Sequence, residues 1–152
     1  MTSVITGPTR AEAFEAWDSG ELIGSGSSRH VYRVPGSDWV YKYDNDSGVN
    51  ELEYDNYQLC RNIMPDGTAI PEMQLISMRN GSSVLAVRYV EGKLIADSVC
   101  PWHGYTCEHE IPEFCLWEWS ATVDLPWECS NDLHAWNVIV GLDGILYFID
   151  VA

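Results

Sequence analysis

At 152 residues, 46% apolar and 12% aromatic with seven tryptophans, the chain carries enough apolar side chain to fold as one domain without disulfide or metal staples. A formal net charge of -15, on eight Lys and Arg against 23 Asp and Glu, excludes direct binding to nucleic-acid phosphates and argues against an anionic membrane surface. All eight basic residues lie at or before Lys93, so residues 94–152 hold ten acids and no Lys or Arg, a stretch that attracts metal ions or a basic protein surface.

The chain has no run of the roughly 18 apolar residues that a membrane helix needs, and its N-terminus lacks a basic-then-apolar signal pattern. A cytoplasmic protein is expected. The five cysteines, at 60, 100, 107, 115 and 129, are odd in number and lack a secretory context, so free thiols are expected.

In chain order, Thr9 and Glu12 have the spacing of a capping box, and Ala11, Phe14 and Trp17 give the helix behind them an apolar face that ends near Gly20. Residues 21–34 read as strand, glycine-serine turn, strand, closed by Pro35-Gly36. Residues 39–43 form a third strand, and helical spacing of apolar residues follows over about 50–61. Two strands, 72–78 and 83–90, flank the Asn80-Gly81 turn. Residues 93–129 show two helical stretches interrupted by Pro101, Gly104 and Pro112, the second near 113–123. A last hairpin, 138–142 and 145–149, turns at Asp143-Gly144.

Lys42 is one of two lysines and sits inside a strand, on one face with Val40. Beneath a glycine turn at Gly24 and Gly26 its ammonium would meet a phosphate held by backbone N–H groups. Such a lysine needs a carboxylate to orient it. Of Glu51 and Glu53, the second shares a helix face with Tyr57 and Cys60 and is the chosen partner. Further along, Asp132 and Asn137 stand five residues apart, and Asp150 follows after one hairpin, giving three oxygen ligands or proton acceptors. Alone, each piece has a plain reading: a glycine-serine turn is usually a hairpin, and a strand lysine usually an edge residue.

Their order, however, resembles a known family. Asp132-Leu133 followed by Asn137 is similar to the D-L-x-x-x-N of the protein-kinase catalytic loop, with Asp150 placed as the metal-binding aspartate. The Asp-Leu-His form is closer to aminoglycoside phosphotransferases and other kinase-like proteins of bacteria or phage. Residues 22–26 with Val31 resemble the glycine-rich loop, residues 40–42 the lysine strand, and residues 88–92 the hinge.

The resemblance implies an α+β fold: a small lobe of five antiparallel strands plus one helix over residues 21–90, preceded by a helical extension at 1–20. A reduced large lobe, 91–152, is expected to end at the metal-binding aspartate. It implies ATP and Mg2+ as cofactors, with Lys42 on the α and β phosphates, Glu53 paired to it, Asn137 and Asp150 on Mg2+, and Asp132 near the attacking group. Gly24, Ser25, Gly26, Val31, Val40 and Val87 would surround the nucleotide, and the backbone of Arg88, Tyr89 and Val90 would hold adenine.

The chain also departs from that family. Arg29 stands at the third glycine of the loop, which is expected to impair backbone approach to the terminal phosphate. Ser130 and Asn131 replace the histidine and arginine before the catalytic aspartate, and Asp150-Val151-Ala152 lacks the glycine of its triplet. No activation segment, peptide platform or full helical lobe is expected. Apolar surface from Phe114, Trp117, Trp119 and Val138 would then be repacked, or covered by a partner protein or a second copy of the chain.

Cys100, His103, Cys107 and His109 offer four zinc ligands in a non-standard spacing, against the plainer reading of free thiols and surface histidines. His134 reads as structural, and the tryptophans at 117, 119, 127 and 136 as core or interface. Two function classes emerge. One is a minimal ATP-dependent phosphotransferase acting on a hydroxyl of a protein or of itself. The other is an inactive, phage-type acidic pseudokinase that inhibits a basic host protein.

Overall fold

The computed structural model describes residues 7–25, 29–45, 47–95, 100–102, 115–116, 119–120, 122–123 and 137–149. The chain divides into two units, Met1–Tyr54 with Glu72–Tyr89, and Asp55–Pro71 with Val90–Ala152. Among the described residues no helix is long and apolar enough to cross a membrane.

The first unit is built on an antiparallel sheet of five strands: β1 (Glu21–Ser25), β2 (His30–Arg33), β3 (Trp39–Tyr43), β5 (Met73–Ser77) and β6 (Ser83–Arg88), in the order β1-β2-β3-β6-β5. Strand β3 is the central one. It is rich in aromatic and β-branched side chains that suit a sheet covered on both faces, and its residues from Trp39 to Lys42 are all buried. The β5–β6 hairpin turns where expected, with Gly81 at φ 90°, a left-handed conformation that glycine adopts without steric cost. Strand β1 carries a bulge between Leu22 and Gly24, so Leu22 pairs with Tyr32 and Gly24 with Val31.

Helix α1 (Arg10–Ser19) starts at Thr9, whose hydroxyl accepts the Glu12 N–H at 3.1 Å. Only half of the capping box forms. The Glu12 carboxylate turns instead to the sheet, accepting from the Tyr41 hydroxyl at 2.7 Å and from Ser37. The apolar face also differs from the expected one. Ala13 and Ala16 are fully buried, whereas Phe14 is 62% and Trp17 50% exposed. The reason lies in the sheet, where Trp39, Tyr41, Tyr32 and Tyr43 fill the space beneath α1 so that only alanine fits against them. Trp17 settles on the edge of this layer, its ring 5.6 Å from Tyr32 and 5.1 Å from Tyr43.

The second helix, α2 (Val49–Cys60), follows β3 as the spacing predicts, and Glu53, Tyr57 and Cys60 are all buried along it. In the second unit a four-stranded sheet runs β4-β9-β8-β7, with β4 (Thr68–Ala69), β7 (Gly92–Leu94), β8 (Val138–Gly141) and β9 (Leu146–Phe148). Strand β4 lies parallel to β9, and Leu146 N–H donates to Gly67 O at 3.0 Å. Gly144, at φ 82°, makes the β8–β9 turn.

Val138, expected at an uncovered surface, is fully buried, and Trp119 packs on Trp102 at 5.7 Å and edge-on to Phe148 at 6.1 Å. Val138 is thus covered within the chain, whereas Trp119 is half-buried. Phe114 and Trp117 lie outside the described residues. Among the described cysteines, Cys60 and Cys115 are buried and Cys100 is half-buried.

Candidate functional site

Strand register assembles a set of the predicted side chains on one face of the first sheet. Gly24 pairs with Val31, Val31 with Lys42, and Lys42 with Leu85, so one row crosses four strands. Val40 pairs with Val87 in the next row of that face. Directly paired residues project to the same side of a sheet, and residues two apart on one strand share it. Five expected contacts (Gly24, Val31, Val40, Lys42 and Val87) therefore belong to one surface, with Lys42 the charge among them.

Lys42 is 6% exposed and Glu53 0%. Lys42 Nζ lies 2.9 Å from Glu53 Oε1 and 3.1 Å from Oε2, so the ammonium meets both carboxylate oxygens. A lysine loses hydration when buried in a strand, and only a close counter-ion with good geometry offsets that cost. Burial pushes the Glu53 pKa up, but the charges of Lys42 and then Arg29, with their hydrogen bonds, outweigh it and hold the carboxyl below its ordinary value of 4.5.

Arg29 was not expected in this role. Read in sequence only as a missing glycine, it is 8% exposed, and its Nη1 donates to Glu53 Oε1 at 2.5 Å and to Asn50 Oδ1 at 3.4 Å. Asn50, fully buried, is the second residue that sequence reasoning passed over. Its amide donates to Lys42 O at 2.9 Å and Ser83 O at 3.2 Å, while its backbone N–H donates to the buried Asp44 carboxylate at 2.9 Å. Asn50 thereby locks the first turn of α2 to β3 and β6, which fixes Glu53 one turn later against Lys42. An asparagine opening a helix straight after a lysine strand was the available signal.

At the expected hinge, the Arg88 N–H donates to Glu72 O at 2.9 Å and the Tyr89 N–H to Asp38 O at 2.7 Å. The Arg88 side chain belongs to the opposite face, its guanidinium 4.7 Å from the Trp39 ring centroid, and Arg33 stacks 3.6 Å over Tyr89.

The remaining predicted residues are placed only in part. Asn137 immediately precedes β8, and its carbonyl accepts the Ile149 N–H at 2.9 Å, which brings its backbone beside the residue that precedes Asp150 in sequence. Ser25 ends β1. Gly26, Asp132, His134 and Asp150 lie outside the described residues, as do His103, Cys107 and His109 of the zinc reading, leaving Cys100 as a half-buried thiol.

No family model and no curated protein matches the chain. Among solved structures, an apo pseudokinase aligns at 17% identity with a TM-score of 0.53, over 99% of this chain and 61% of its own. The GDP complex of wild-type aminoglycoside 2'-phosphotransferase-IIIa aligns at 22% identity and TM-score 0.38, over 52% of this chain and 27% of its own. WbdD in complex with a kinase inhibitor aligns at 17% identity and TM-score 0.42, over 83% of this chain and 31% of its own. The chain thus spans less than two thirds of the length of these structures.

Proposed function

From the premise of a protein-kinase-like fold, which the likeness to the pseudokinase over 99% of the chain shows, we propose that the chain binds ATP with Mg2+ and moves its γ-phosphoryl group to a hydroxyl on a protein or on itself. The observation that carries this reading is the Lys42–Glu53 pair, buried and bidentate, on the sheet face that also holds Gly24. A buried lysine with both carboxylate oxygens on its ammonium is pre-aimed, and needs little reordering to meet a phosphate.

The residues fit the ligand on two counts. Among the described residues, a Cβ built at Gly24 would find Val31 Cβ nearest, at 4.0 Å, so none of them requires glycine there. Close approach of a phosphate to the backbone would require it. The amide of Asn137 and the carboxylate of Asp150 are oxygen donors of the kind Mg2+ selects.

In this reading Lys42 holds the α and β phosphates, Glu53 orients Lys42, Val31, Val40 and Val87 flank the base, and Asn137 and Asp150 hold the metal. A Mg2+ ion held there would supply neutralisation of the phosphate charge. The acceptor oxygen bonds to the γ phosphorus as the bond to the bridging oxygen breaks, ADP leaves, and Asp132 takes the hydroxyl proton.

Thermal melting with Mg-ATP tests binding. At a hundredfold excess over Kd the wild-type chain should gain about 2.7 kcal/mol, and Lys42→Met should lose that gain. Transfer of labelled γ-phosphate should vanish in Asp132→Ala and Asp150→Asn. Unaltered stabilisation of Lys42→Met by Mg-ATP would remove the lysine from the site and the proposal with it.

A second reading is favoured by the net charge of -15 and its concentration after residue 93. The chain would then be a non-catalytic kinase-like protein that occupies a basic protein surface. Salt-sensitive partner binding that survives Lys42→Met supports it, and binding that needs Mg-ATP does not.

A further inference from the structure

Phe14 and Trp17, which α1 leaves 62% and 50% exposed, both line a cavity of about 990 Å3 within the first unit. The cavity lies between α1 and the end of the sheet where β5 turns into β6, on the side of Tyr43 and Val84 and away from the face of Lys42. Its wall is preformed. Trp17 rests on Tyr43 with 5.1 Å between ring centroids, and Met78 packs against the aromatic core beside them. Two exposed arginines, Arg10 at the start of α1 and Arg79 in the β5–β6 turn, line the same cavity. The other arginines of the first unit are engaged: Arg29 by Glu53, Arg33 by Ser37 O and the Tyr89 ring, Arg88 by Glu72 and the Trp39 ring. Arg10 and Arg79 have no hydrogen-bond or ion-pair partner among the described residues. Between them in the lining, Asn80 accepts the Ser82 N–H and hydroxyl through Oδ1, at 3.0 and 2.6 Å, which leaves its amide nitrogen as a further donor. The one acid of the described lining, Asp44, is buried and accepts the Asn50 N–H.

We infer that this cavity is a binding site for a small aromatic carboxylate, with the ring against Phe14 and Trp17 and the carboxylate on Arg10 and Arg79. Ligand sites are mostly apolar hollows of roughly 300–1,000 Å3 with a few convergent polar groups, and this one has that size and make-up. The guanidinium forks match the two oxygens of a planar carboxylate, and rings give an aromatic body area and a stacking surface. In a chain of net charge -15, two arginines that meet no carboxylate of their own are donors kept for a ligand from outside. The inference is independent of the nucleotide reading, since no residue of this cavity belongs to the proposed phosphate, base or metal contacts.

Calorimetry on the full chain with naphthoate and its uncharged analogue naphthamide tests this directly. Naphthoate should bind saturably and about tenfold or more tighter than naphthamide. Arg10→Gln and Arg79→Gln should each weaken naphthoate about tenfold, the worth of one charge-assisted hydrogen bond, and leave naphthamide unchanged. Both arginines are exposed, so these variants keep the fold. Phe14→Ala should weaken the two ligands alike, because it removes ring contact and no charge. Absent naphthoate binding, equal affinity for the two ligands, or naphthoate affinity unmoved by both arginine variants overturns the inference. A dimer in sedimentation that Phe14→Glu dissolves overturns it as well, since this face would then belong to a second copy of the chain.

Discussion

The two faces of the five-stranded sheet are made by alternate residues of the same strands, and they solve opposite problems. On one face Trp39, Tyr41 and Tyr43 press against the alanines of α1, and the polar tips find neighbours: Tyr41 reaches Glu12, and the Tyr43 hydroxyl donates to the Ala13 carbonyl. Burial raises the pKa of both tyrosines far above the ordinary value of 10, with Glu12 adding to the effect at Tyr41, so both stay neutral donors. On the other face Val40 and Lys42 stand with Gly24, Val31 and Val87, and a glutamate from α2 meets the lysine. The first face is a core of rings and alanines in which the buried Tyr41 and Tyr43 hydroxyls are both hydrogen-bonded. The second keeps two cations and two carboxylates, Lys42, Arg29, Glu53 and Asp44, out of water, an arrangement with a higher desolvation cost than an apolar face.

The comparison breaks most clearly at Glu53. Glu53→Ala should cost about 3–5 kcal/mol in urea unfolding, because Lys42 and Arg29 would be left buried without their carboxylate. A loss below 1 kcal/mol would mean that the charged face is not buried as described.

Acid should act on the same group. The unfolded carboxyl takes up its proton near 4.5 while the folded one holds out to lower pH, so the unfolded state binds more protons and stability falls as pH drops below that value. This contribution is fully present above pH 4.5. Melting curves of Glu53→Gln should lack that part of the acid decline.

On the aromatic face, Ala16→Leu should cost about 1–3 kcal/mol by overpacking, with the Mg-ATP affinity of the folded protein unchanged. Tyr41→Phe should cost about 1 kcal/mol, the worth of its hydrogen bond to Glu12. The smallest stability effect belongs to Gly24→Ala, within about 1 kcal/mol and toward stabilisation, since the unfolded chain loses freedom and a methyl meets no close neighbour among the described residues. Its Mg-ATP affinity should nonetheless fall, and melting with and without nucleotide separates the two effects.

Most of the first unit was legible in sequence because its signals are local. Alternation announces β3, glycine turns mark the hairpins, and helical spacing at Glu53, Tyr57 and Cys60 names the buried side of α2. Strands β4 and β7 escaped notice because Thr68–Ala69 and Gly92–Leu94 are too short for any periodicity, and exist only through their partners β9 and β8. The face of α1 was misread because size decided it: large rings on the sheet admit Ala13 and Ala16 and turn Phe14 outward. The Lys42–Glu53 pair could be anticipated from strand and helix spacing. Arg29 could not, since its guanidinium crosses from the end of a turn to a helix twenty-four positions on, a distance no local pattern encodes.

The parallel pairing of Thr68–Ala69 with Leu146 and Tyr147 has a consequence for biosynthesis. Every strand contact of the five-stranded sheet is complete once Arg88 has emerged from the ribosome, whereas β4 waits for a partner translated far later. The two units therefore become competent to fold at different times, and a segment exposed in the interval depends on delayed, long-range closure.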